Sequence, residues 1–166
     1  MMNPNALLVE MAKIVQGLGP VAPSSSTPDF VSLKGCNRCT ILIPVKNGST
    51  VTGSAISVTQ AQDVSNTGGK TLAFSTAYRA LNTGPSGNTD VLSSFTVSSN
   101  TFTTDSTNTF DNLYAIEVNE TDLDVNNGFD CIRVNTGNAV NATLSVLYIL
   151  WPAKFAKTTL PSAIAD

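Results

Sequence analysis

The residues best equipped for chemistry are three cysteines, two of them spaced as Cys36-Asn37-Arg38-Cys39 and the third at Cys131. A structural zinc site needs four soft ligands, and with no His anywhere in the chain the set cannot be completed. A redox dithiol needs a strand-to-helix junction that lowers the thiol pKa, whereas Cys39 leads straight into strand-like text. The expectation is therefore core or edge thiols, with a disulfide to Cys131 as the alternative. An odd number of cysteines leaves at least one thiol over. The absence of His also removes the commonest general base and every Ser-His or Cys-His dyad, so neither an enzyme nor a bound cofactor is expected.

Other spacings approach known motifs and then depart from them. Gly68-Gly69-Lys70-Thr71 mimics the end of a phosphate-binding loop, but Val64 stands where the first Gly is required, and a strand follows where a helix should begin. The run from Asp122 through Asp124 and Asn126 to Gly128 hints at a calcium loop. Its Gly comes one place late, and Arg133 occupies the position of the bidentate Glu. A weak calcium site of another kind, with Glu117 and Glu120, is the alternative to an acidic surface turn. Three Asn-X-Ser/Thr sequons, at Asn47, Asn119 and Asn141, would matter only in a secreted chain.

If side chains do no chemistry, the elements must work as surfaces. Only 13% of the 166 residues are charged, where soluble domains carry about 25%. In their place stand 21 Thr, 17 Ser and 16 Asn, about a third of the chain. Thr favours strands, while Ser and Asn suit turns, so the composition points to an all-β domain with an uncharged polar exterior. A net charge of −3 supplies no basic field, which argues against nucleic acid or an anionic membrane as partner. The first residues lack the basic start and continuous apolar run of a signal peptide, so folding in a reducing cytoplasm is expected.

Asn3-Pro4 reads as an N-cap and first helical residue, and Leu7, Leu8, Met11, Ile14 and Val15 follow at helical spacing. This predicts a helix of about four turns, stopped at Gly17 and Gly19-Pro20. The Pro/Ser linker over 20–28 makes residues 1–28 a detachable arm, and that favours an anchor on a neighbour over a lid on the same subunit. Strands are expected at Val31–Leu33, Thr40–Lys46, Val51–Gln62, Thr71–Tyr78, Phe95–Phe102, Leu113–Val118, Phe129–Val134 and Leu144–Trp151. Asn47-Gly48 is the strongest hairpin signal. The last apolar run is eight residues long, too short for a membrane helix. About eight strands over 29–152 predict an antiparallel β-sandwich of jelly-roll type, followed by an extended tail over 153–166.

The stretch YAIEVNETDLDVNNGFDCIRVNTGNAVNATLSVLYILWPAKFAKTTLPSAIAD resembles a group of small tailed-bacteriophage and prophage structural proteins. AKIVQGLGPVAPSSSTPDFVSLKGCNRCTILIPVKNG is similar in the same way, so the resemblance covers almost the whole chain. It implies a virion protein of the head region, assembled in the host cytoplasm, and most nearly a capsid decoration (cement) protein. Its implied partners are the major capsid protein and its own copies, expected as a trimer. The arm residues Leu7, Leu8, Met11, Ile14 and Val15 and the tail residues Phe155 and Leu160 are the expected contacts. The alternatives are a head-to-tail connector, a tail component, or an adhesin. An adhesin would present the polar loops 82–90 and 105–112 and stack sugars on Tyr78, Tyr114, Tyr148 or Trp151.

Overall fold

A computed structural model describes residues 7–85, 87, 89–107, 110–153 and 162–164. Among these, eleven strands form two antiparallel sheets. The first sheet runs, edge to edge, β1 (Lys13–Val21), β11 (Ala142–Ala153), β3 (Cys36–Asn47), β9 (Asp111–Asn119), β6 (Thr76–Leu81) and β7 (Ser93–Thr96). The second runs β2 (Val31–Ser32), β10 (Cys131–Thr136), β4 (Ala55–Ala61) and β5 (Lys70–Thr71), with β8 (Thr101–Thr103) sharing the outer edge of β4 with β5. The all-β sandwich expected from composition is the fold observed. The count rises from eight to eleven because β1 was not anticipated and two expected strands each divide between the sheets.

Alternation along the long strands builds the core. Cys39, Ile41, Ile43 and Val45 of β3 point inward beside Leu144, Val146, Tyr148 and Leu150 of β11. Ile56 and Val58 of β4 and Ile132 and Val134 of β10 close the core from the second sheet. The Tyr148 hydroxyl crosses the sandwich: it accepts the Val134 N–H at 3.0 Å and donates to the Asp29 carbonyl at 3.1 Å. Its ring lies against Gly17, where any Cβ would overlap it. That close approach fixes glycine at this point of β1.

The four-turn helix is not formed. Helix α1 covers only Leu8–Met11, held by the Leu7 N–H donating to the Glu10 carboxylate at 2.9 Å, and the chain is strand from Lys13. β1 pairs with β11 through two register shifts, so that Val15, Leu18 and Val21 align with Tyr148, Val146 and Leu144 on the core side. Two bulges thus convert a period of two into a spacing of three, which imitates a helical face. The sandwich accordingly takes in Lys13–Val21, which the arm expected over 1–28 had claimed. The Pro/Ser segment is tied down: the Pro23 carbonyl accepts the Thr136 hydroxyl at 2.7 Å, and the Asp29 N–H donates to the Gly17 carbonyl at 2.9 Å. Asn3 and Pro4, expected to start the helix, lie outside the described residues.

Asn47-Gly48 does not make a hairpin. β3 and β4 belong to different sheets, and the segment between them crosses the edge of the sandwich. Asn47 Nδ2 donates to the Asp105 carbonyl at 2.8 Å and the Gly48 N–H to the Asn141 carbonyl at 2.7 Å. These partners come from distant loops and replace the local ladder a hairpin would have supplied.

Candidate binding surface

The cysteines are in thiol form. Cys39 and Cys131 are fully buried in opposite sheets, and Cys36 is half-buried on β3. Burial pushes the Cys39 thiol far above its ordinary range, and the nearby Glu117 charge pushes it further. The result is the opposite of an activated nucleophile. Cys131 Sγ donates to the Asp130 carboxylate at 3.0 Å.

In the acidic turn, carboxylates hold the chain together. The Asp122 carboxylate accepts the Asn119 N–H at 2.8 Å, and the Asp124 carboxylate pairs with the Lys70 ammonium and accepts Asn127 Nδ2 at 2.9 Å. The Lys70 and Asn127 hydrogen bonds hold the Asp124 carboxyl below the usual aspartate range. Among the described residues no three acids or thiols converge on a point that could hold a metal. Lys70 is thus the partner of an aspartate at a strand edge, with none of the phosphate-loop geometry its neighbours suggested.

Of the aromatic residues considered for sugar stacking, Tyr114 and Tyr148 are fully buried and unavailable. Tyr78 and Trp151 are half-exposed on the outer face of the six-stranded sheet. Arg38 stacks over the Trp151 indole at 4.2 Å, and Trp151 Nε1 donates to the Thr40 hydroxyl at 3.1 Å. Thr40 in turn donates to Glu117 at 2.9 Å. At the opposite end of the same sheet, two open depressions of about 500 and 320 Å³ meet at Lys46 and Thr143. The first is walled by loop residues such as Gly48, Ser49 and Asn141, and the second by strand residues such as Pro44, Lys46, Asp111 and Ser145.

The expected contact residues divide. Leu7 and Leu8, with Val9, are 62%, 53% and 67% exposed, and Ile14 projects outward from β1 at 45%. Met11 is half-buried, and Val15 packs against the core. The arm therefore keeps an apolar end, but as one exposed turn beside an edge strand. Val9 was missed because it falls off the helical stripe. Phe155 and Leu160 lie outside the described residues. Further along, the Ala163 carbonyl accepts the Ser32 N–H at 2.8 Å, which brings the tail back onto the second sheet.

Among the described residues no helix is long and apolar enough to cross a membrane. No protein-family model matches the chain, and no curated protein matches its sequence. Among solved structures, the chain is similar to the SPBc2 prophage-derived protein YomS at 14% identity, with 84% of this chain and 91% of that one covered and a TM-score of 0.42.

Proposed function

We propose that this protein is a structural component of a tailed-phage virion that works by adhesion, docking on the assembled capsid shell and cementing it. The observation that carries this reading is the apolar end formed by Leu7, Leu8, Val9 and Ile14, exposed beside the β1 edge of a body poor in charge. Burying such side chains gives each contact a few kcal/mol at most, about 1.5–3 for a fully buried Leu or Val. Many weak contacts, one per copy and reinforced by neighbours, add through effective concentration, which is how a cement protein holds a lattice. The likeness in texture to small tailed-phage and prophage structural proteins agrees with this reading. In it, the cysteines are structural and the polar loops are solvated rims.

The test is occupancy on purified shells that lack this chain. Deleting residues 1–20 would strip an integral strand, so the suitable variant is Leu7→Ser/Leu8→Ser/Val9→Ser, on a turn with no buried side chains. Wild-type protein should decorate the shell, and the triple variant should lose about tenfold or more in affinity, on the order of 1.4 kcal/mol. Equal occupancy by both overturns the docking role of this end. Binding confined to the portal vertex or the tail would reassign the protein to a connector or tail component.

A further inference from the structure

The outer face of the six-stranded sheet carries an apolar patch at its centre, bordered by polar positions such as Gln16, Thr40, Glu117, Thr143 and Ser94. Cross-strand register places Leu147, Leu42, Ala115 and Tyr78 in one row perpendicular to the strands. Ile14 opposite Ile149, and Pro44 opposite Leu113, flank that row. Antiparallel sheets with one wet face alternate apolar and polar residues, whereas β3 and β11 read as nearly unbroken apolar runs, the pattern of strands covered on both sides. One side is covered by the second sheet. Among the described residues nothing covers the other.

We propose that a second copy of this chain docks there, sheet face to sheet face, about a two-fold axis. Area supports this occupant. Six strands spaced about 4.8 Å apart, with about eight residues of rise between the Arg38 and Lys46 ends of β3, give a face of about 24 by 26 Å. Its projected area is on the order of 600 Å², and side-chain relief brings it near the roughly 800 Å² each partner contributes to a standard interface. A two-fold contact uses the same patch twice, and that suits a patch whose centre is apolar and uncharged. Both ends carry both signs, Arg38 with Glu117 at one and Lys46 with Asp111 at the other, so no orientation forces like charges together. Joining two copies by their edges is disfavoured. The β1 edge carries two bulges, Gly17 and Pro20, and the β7 edge is only four residues long.

This inference does not depend on shell binding, and its test uses no shells. In sedimentation of the full chain across micromolar concentrations, the mass should rise from 17.3 kDa to twice that value. Leu42→Thr/Leu147→Thr, which places β-branched, strand-favouring residues in both strands, should raise the dissociation constant at least tenfold. Hydroxyl-radical footprinting of the wild-type chain should protect Leu42, Leu147 and Tyr78 on association, and this readout decides the matter even if the variant fails to fold. A wild-type chain that stays monomeric, a folded variant that associates unchanged, or protection confined to Leu7–Val9 would each overturn the proposal. A chain that dimerises through this face yet ignores shells keeps this inference and removes the proposed function.

Discussion

Tyr148 ties β11 to the opposite sheet and to the β1–β2 connection, because its hydroxyl accepts the Val134 N–H and donates to the Asp29 carbonyl. Tyr148→Phe keeps the ring and strands the Val134 N–H, at a cost of about 1–3 kcal/mol. Urea denaturation should show a lower midpoint with an unchanged slope; an unaltered midpoint would mean that water replaces the hydroxyl. At this scale the sequence was informative about chemistry and silent about position. The missing His and the odd cysteine count followed from identity alone. That Tyr148 and Tyr114 serve the core, while Tyr78 and Trp151 face outward, follows from which phase of the strand alternation meets the second sheet.

β1 is the element on which periodicity misled. Residues 7–15 satisfy a helical spacing, yet an edge strand forms because Val15, Leu18 and Val21 gain more by packing on β11 than an isolated helix of that length would gain in water. Truncation separates the two parts. A chain starting at Ala12 should unfold within about 1 kcal/mol of the full protein, since α1 buries no side chain. A chain starting at Val21 loses Leu18 from the core and uncovers Tyr148, and should be destabilised by about 3 kcal/mol or more. Equal stability of the two, measured by thermal unfolding, would show that β1 is dispensable. The Asn47-Gly48 signal failed for a related reason: a local turn preference of that kind fixes a hairpin only when both flanking strands share a sheet, and here β9 and β11 occupy both edges of β3.

For the molecule as a whole, burial makes stability depend on pH at the alkaline end. Tyrosine ionises near 10.0 when exposed, and desolvation raises both Tyr148 and Tyr114 above that value. A folded pKa above the unfolded one means that the stabilisation is complete below about pH 10 and is lost as pH rises through the folded values. Urea midpoints should therefore hold up to about pH 10 and then fall, with tyrosinate absorbance appearing together with loss of the β signal. Ionisation of all three tyrosines with the β signal intact would contradict the burial described above. The sequence by itself determined the class: Thr-rich alternation, frequent turn residues and sparse charge specify packed strands with a neutral exterior, because these are short-range consequences of side-chain shape and solvation. Tertiary structure alone decided that the chain passes from sheet to sheet at nearly every connection, that β1 belongs to the sandwich, and that β3 and β11 keep an apolar patch on their outer face. Each of those depends on which strands become neighbours. That choice is set by contacts between residues far apart in the chain, which local spacing does not record.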